Sequence, residues 1–292
     1  MFIKFIASPL LYFFNYCIKI LSTLNVRLKK NNANYQMNYL DKLTTKVEHI
    51  ANNNKNIELH FHTPNSFCMY RAESFSYKEP ETLEWIEEFG KNEAVLFDIG
   101  ANIGLYSIYH NKLNGGKCFA FEPSFFNIKL LLKNINLNDC QNLTSIVSNP
   151  LSNSVGFGEF LYGDSYYSSI EGGSGMAFGV DFGHDGKKIN SQISSNVLGV
   201  SLDWMLENSV IEAPNLIKID VDGIEHLILK GAKKILIDAN CKSILVEVND
   251  DFKDQANEVS ILLISYGFSL RDKLQGSSMR NSNIYNQIWV KN

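Results

Sequence analysis

The segment FDIGANIG, residues 97–104, places Gly100 and Gly104 four residues apart, with Asp98 just ahead of the first. An apolar run precedes it and the helix-like LYSIYHNKL follows. A glycine turn at such a junction lets a ligand approach the backbone, because no side chain intervenes. The N–H groups at the start of the following helix attract an anionic group. Glu122 lies 22 residues after Gly100, at the end of the apolar FAFE. An acid at the end of the neighbouring strand can accept both hydroxyls of a ribose. A second group of acids follows in LIKIDVDGIEH, with Asp220 at a strand end, Asp222 in the turn, and Glu225 and His226 at a helix start. Glu247 ends the strand after that.

Glycine turn and acid together predict an adenosine-type ligand. The dinucleotide fingerprint is G-x-G-x-x-G, but the spacing here is G-x-x-x-G beside a carboxylate. A carboxylate at that edge repels a pyrophosphate and welcomes an ammonium group. S-adenosylmethionine has an amino-acid end, a cationic sulfonium and a ribose, and it fits best. Beside it, the second group of acids suits proton transfer, because a sugar hydroxyl is a poor nucleophile while protonated. Asp220 is the first candidate base, with Glu225, Glu247 and His226 as alternates. Asp220, Asp222 and Glu225 could instead hold a hard cation. Strand-end acids more often cap helices, so no metal is expected.

These residues need a scaffold, and the pattern around them supplies one. Strands are predicted at 94–99, 117–122, 143–148, 216–221 and 243–248, and helices at 103–113, 124–137, 224–237 and 254–266. Short apolar strands alternating with amphipathic helices mean βαβ units and a mostly parallel sheet covered on both faces. GFSLRDK and NIYNQIWVK near the C-terminus have no helix between them and read as an antiparallel hairpin at one sheet edge. Upstream, IELHFHT (57–63) alternates like a strand, with SFCMYRA as its partner. KEPETLEWIEEFG reads as a helix stopped by Gly90. Another helix is expected around residues 40–50, inside a polar connector.

The order of these segments carries a resemblance. KEPETLEWI, FDIGANIGLYSI, FAFEPS, VSLDWML, LIKIDVDGIEHLILKGA and ILVEVN follow one another as in the FkbM-type family of S-adenosylmethionine-dependent methyltransferases, over about residues 57–290. The resemblance implies a Rossmann-like class I methyltransferase fold: an α/β architecture whose seven-stranded sheet ends in an antiparallel strand. It also implies O-methylation of a hydroxyl, often on a sugar or a polyketide. It assigns the cofactor to Asp98, Gly100, Ala101, Asn102 and Gly104 in the turn, to Glu122 and Pro123 after the second strand, and to Ser148 near the adenine. The family's usual KIDVEG stands here as KIDVDG, which makes that acid one methylene shorter.

Two stretches fall outside the family motifs. Residues 152–199 form a long insertion rich in Gly and Ser; its Tyr162, Tyr166, Tyr167, Phe178 and Phe182 could make a lid over a sugar or could simply be core aromatics. Residues 1–56 combine an apolar N-terminal stretch with the connector, leaving 57–292 as the methyltransferase domain. Only 14 uncharged residues separate Lys4 from Lys19, short for a spanning helix. Lys4, Ser8, Tyr12, Asn15, Lys19 and Ser22 fall on one stripe, so residues 1–23 fit either an in-plane membrane anchor or a helix docked on protein.

Composition narrows the remaining classes. The chain has 292 residues and a net charge of −4, with no basic field to recruit nucleic acid. Its five cysteines are scattered without CxxC spacing, which favours a reducing cytoplasm, with the inner membrane face as a peripheral location. Two competing readings are a nicotinamide oxidoreductase on a similar sheet and a methyltransferase-like module that binds a glycan or membrane without turnover. Glycine spacing and the antiparallel end argue against the first. Intact Asp98, Glu122 and Asp220 argue against the second.

Overall fold

A computed structural model describes residues 12–20, 39–40, 42–163, 166–191, 193–276 and 282–292, without the side chains of Tyr166 and Tyr167. The chain forms two units, Met1–Leu43 and Thr44–Asn292. In the first, residues 12–20 are helical. The stripe positions Lys4, Ser8 and Ser22 lie outside the described residues.

The second unit opens with a hairpin of β1 (Thr44–Ile50) and β2 (Asn56–His62). The helix expected around residues 40–50 is therefore a strand for most of its length. Its β-branched Thr44, Thr45 and Val47 favour extended backbone, and its side chains alternate, with Val47 turned inward and Lys46 and Glu48 outward. Residues 44–56, read from sequence as connector, belong to this compact unit. SFCMYRA is likewise not a strand but part of a helix, Ser66–Glu73. Asn65 caps it by accepting from the Cys68 N–H at 3.0 Å. A short helix, Phe75–Lys78, and the expected Pro80–Phe89 follow, the last ending at Gly90.

The main sheet contains β3 (Leu96–Ile99), β4 (Cys118–Phe121), β5 (Thr144–Val147), β9 (Leu216–Ile219), β10 (Ser243–Asn249), β11 (Phe268–Leu274) and β12 (Ile284–Lys291). Their order is β11-β12-β10-β9-β3-β4-β5. The five strands from β10 to β5 run parallel, and β12 lies antiparallel between β10 and β11. Helices Leu105–Asn114 and Phe125–Leu137 follow β3 and β4, and Lys253–Ser265 follows β10. The helix expected over 224–237 is two, Glu225–Lys230 and Lys233–Ile237. Its break falls at Gly231, where a Cβ would meet the Ser152 carbonyl at 2.3 Å; the chain entering the insertion presses against it.

Strand residues alternate between two cores. Leu96, Ala120, Leu216 and Leu245 face the β1–β2 hairpin and helices Pro80–Phe89, Leu105–Asn114 and Phe125–Leu137. Phe97, Phe121, Ile217 and Ile244 face the opposite side, with the helices after β9 and β10. The insertion forms a small antiparallel sheet, β6 (Gly156–Leu161) between β7 (Ala177–Phe178) and β8 (Ser194–Gly199). Phe160, Tyr162 and Phe178 from this sheet and its flank join the second core.

Candidate active site

A cavity of about 250 Å³ opens beyond the carboxyl ends of β3, β4, β9 and β10, where open α/β sheets bind ligands. Gly100 and Asn102 line it from the turn after β3, Glu122 and Pro123 from the end of β4, and Asp220 and Glu247 from β9 and β10. A narrower chamber under the glycine turn adds Ala101, Tyr106, Glu79 and Lys218.

The turn is built by close approach. A Cβ on Gly100, whose φ is +86°, would stand 1.9 Å from the Asp220 carbonyl oxygen, so this glycine lets the turns after β3 and β9 touch. Gly104, φ +90°, meets Leu131 instead and serves helix packing; it is not among the cavity-lining residues. Asn102 takes a left-handed φ of +50°, which asparagine tolerates.

Glu122 is nearly fully buried. Its Oε2 accepts from the Asn102 N–H at 2.8 Å and its Oε1 from the Ser124 N–H at 2.9 Å. Burial pushes its carboxyl up to about 7, against the pull of those two N–H groups. The cavity wall beside it is apolar, with Phe121, Leu151, Phe160, Met176 and Phe178.

Asp98 departs from expectation. It lies on the helix-facing side of β3, fully buried, and accepts from Ser107 Oγ at 2.5 Å. Lys218 is its cross-strand neighbour, and Asp98 is absent from the cavity lining. The alternation of β3 decides this, because Asp98 shares a face with Leu96 and points away from the face of Phe97 and Ile99. Lys218, buried inside the sheet, donates to Asp220 Oδ2 at 2.7 Å and lies 5.0 Å from the centre of the Tyr106 ring. Burial lowers the Lys218 pKa, but Asp220, Asp98 and Glu79 outweigh it and raise it overall.

Asp220 and Glu247 thus reach the cavity in unlike states. Burial pushes Asp220 up, yet Lys218, helped by Lys78, wins and holds it below the usual carboxylate range. Burial, then the charge on Asp220, drives Glu247 well above its ordinary value. Opposite shifts on neighbouring acids favour charge on Asp220 over charge on Glu247.

Glu225 and His226 do not join them. Glu225 is buried, accepts from Gln255 Nε2, and is pushed up to about 8 by burial. His226 faces Glu258, 3.9 Å away on helix Lys253–Ser265. Neither lines the cavity, because the turn after β9 aims the first helical residues at the neighbouring helix. Ser148 is exposed; Asn149, Pro150 and Leu151 line the cavity in its place. Asp222 accepts from the Gly175 and Met176 N–H groups at 2.7 and 3.1 Å and thereby pins the insertion. No group of three or more His, Cys, Asp or Glu among the described residues is arranged to hold a metal ion.

Sequence reading missed the insertion's strap and the helix before it. Residues 171–176 run beside the cavity, with Ser174 and Met176 in its wall. Asn102 Nδ2 donates to the Gly173 carbonyl at 2.7 Å, and the Gly172 N–H donates to Asn127 Oδ1 at 2.9 Å. Arg71 and Lys78 line the same cavity from helices Ser66–Glu73 and Phe75–Lys78. Lys218 did leave a trace in sequence, as a lone charge within the apolar LIKI. Arg71 left none. Of the aromatics named as a lid, Tyr162 and Phe178 are core residues, and only Phe178 also lines the cavity; Phe182 packs edge-on against Phe252 with ring centres 5.5 Å apart.

A sheet in this order, with β12 reversed between β10 and β11 and the cavity at its carboxyl edge, defines a class I methyltransferase fold. The methyltransferase FkbM domain profile matches residues 98–270, more than half of the chain, and the protein belongs to that family. It is 28% identical over 177 residues to the hexuronic acid methyltransferase AglP of Haloferax volcanii; the match covers 60% of this chain and 65% of that protein, just short of two thirds of its length. The FkbM methyltransferase of Methylobacillus flagellatus aligns with a TM-score of 0.44 at 12% identity, over 68% of this chain and 44% of that one. Aeropyrum pernix fibrillarin with natively bound S-adenosyl-L-methionine aligns at 0.42 and 9% identity, over 69% and 68%.

Proposed function

We propose that this chain is an S-adenosylmethionine-dependent O-methyltransferase acting on a hydroxyl of a saccharide or glycan precursor. The observation that carries the reading is one cavity with Glu122 at the end of β4, Asp220 at the end of β9 and Glu247 on the neighbouring β10. Family membership supports it, and so does the sugar-acid substrate in the name of the Haloferax relative.

The residues suit the cofactor. Glu122 would accept the ribose hydroxyls, and the apolar wall of Phe121, Leu151 and Phe160 would receive the adenine. Asn102 Oδ1, buried in this wall without a hydrogen-bond partner, offers a further acceptor. When bound, S-adenosylmethionine supplies an electrophilic methyl group on a cationic sulfonium. The acid that would offset that charge is Asp220, which Lys218 holds in its ionised form; Asp98, expected from sequence to meet the ammonium group of the amino-acid end, does not line the cavity.

What remains for the protein is to align an acceptor oxygen, keep water out and take a proton. Ser174 and Met176 of the strap line the cavity with Phe178 and would help to exclude water. Asp220, ionised and oriented by Lys218, takes the proton from the acceptor hydroxyl as its oxygen attacks. Glu247 keeps its own proton and can donate to the acceptor. We also infer that residues 1–23 contact the inner face of a membrane from the cytoplasm; among the described residues no helix is long and apolar enough to cross one.

Calorimetry with S-adenosylhomocysteine and with NAD tests the cofactor. The expected result is saturable binding of the first and none of the second, with Glu122→Ala weakening it by at least about tenfold, the scale of a lost hydrogen bond to a charged group. Near-normal affinity in that variant removes the ribose role. A methyl mass gain on a sugar extract, read by mass spectrometry, tests the acceptor class.

A further inference from the structure

We propose that Arg71 is a carboxylate-binding residue of the cavity. It stands on helix Ser66–Glu73, upstream of the residues 98–270 that match the family. It lines both the main cavity and the narrower chamber under the glycine turn.

Its guanidinium is held from one edge only. Nε donates to the Gly172 carbonyl of the strap at 2.7 Å, and Arg71 makes no ion pair or other side-chain hydrogen bond among the described residues. The other two cations of the wall have carboxylates beside them: Lys218 has Asp220 at 2.7 Å, and Lys78 has Glu79. An Arg tethered through Nε keeps its two terminal nitrogens as a planar fork, which matches the two oxygens of a carboxylate. Its charge is already felt across the cavity, where it helps lower the carboxyls of Glu122 and Asp220.

The inference rests on the methyltransferase reading, which brings two carboxylates within reach. One belongs to the amino-acid end of the cofactor. The other belongs to an acidic saccharide acceptor of the uronic-acid type. Both present the same group to Arg71.

Paired probes separate them. Calorimetry compares S-adenosylhomocysteine with methylthioadenosine, which keeps the adenosyl thioether and lacks the amino-acid end. A second titration adds glucuronic acid or glucose to protein saturated with S-adenosylhomocysteine. If the cofactor is the source, Arg71→Gln loses tenfold or more in affinity for S-adenosylhomocysteine and none for methylthioadenosine. If the acceptor is the source, S-adenosylhomocysteine binding is unchanged and glucuronic acid alone loses affinity. Arg71→Lys, which keeps the charge without the fork, recovers part of either loss. Equal loss for both members of a pair means general damage to the cavity, and it overturns the inference, as does no loss on any probe. A wild-type protein that binds no S-adenosylhomocysteine sinks the underlying methyltransferase reading instead.

Discussion

At the residue scale, the surroundings push the two acids of the site in opposite directions. Asp220 has Lys218 against it and Glu247 has mainly burial, so substitution by the neutral isostere should cost them unequally. Asp220→Asn is expected to spare S-adenosylhomocysteine binding and to cut turnover by about 10²–10⁴, the usual worth of a general base. Glu247→Gln removes a carboxyl whose charge burial and Asp220 already disfavour, and should keep turnover within about tenfold. Initial rates at neutral pH on the same acceptor check both, and an unchanged rate in Asp220→Asn removes it as the base. Glu122 adds a pH dependence with a definite sign. Its folded value, about 7, lies above the ordinary 4.5, so ionising it costs the apo fold stability as pH rises between those values. A ribose that prefers the ionised acceptor should therefore bind more tightly as pH climbs through about 7, and Glu122→Gln should flatten that rise in a calorimetric pH series.

At the element scale, the strap matters most. Residues 171–176 contain Gly172 at φ +79° and Gly175 at φ +86°, a backbone that needs outside support. That support comes from side chains on the surrounding elements: Asn65, Arg71, Asn102, Asn127 and Asp222. Asp222 gives two charge-assisted bonds at once, worth about 1.5–3 kcal/mol each in general. Asp222→Ala should speed amide exchange at Gly175 and Met176 by at least tenfold, while the amides of β3 and β9 keep their protection; hydrogen exchange read by NMR checks this. Unchanged exchange would mean that the other latches suffice. A similar device docks the N-terminal hairpin. The Asn134 and Asn138 side chains accept from the His62 and His60 N–H groups at 2.7 and 2.9 Å, so helix Phe125–Leu137 covers an otherwise open strand edge.

At the scale of the whole molecule, the methyltransferase sheet and the N-terminal stretch pose separate problems. The proposed membrane contact rests on the stripe from Lys4 to Ser22 and on Arg27, Lys29 and Lys30 beyond it. Paired with an apolar face, such basic residues favour anionic headgroups and lose that attraction in high salt. Deleting residues 1–23 should release the protein from phosphatidylserine vesicles in a sedimentation assay and leave S-adenosylhomocysteine binding intact. A full-length chain that never sediments with the vesicles ends the idea.

The sequence by itself determined the alternation of β3, β4, β9 and β10 with their helices, the reversed β12, the glycine turn, and the strand-end positions of Glu122 and Asp220. Each of these is written within one element, as a period of hydrophobicity or a residue at its end. Only the tertiary structure decided that Asp98 turns from the cavity toward Lys218, that Glu225 and His226 face helix Lys253–Ser265, and that residues 44–50 extend as a strand. It alone brought Arg71 and the strap to the wall of the cavity, from segments about a hundred residues apart. Local patterning carries no record of such meetings, because they depend on strand register, on which face a side chain takes, and on where a crossover sets down an insertion.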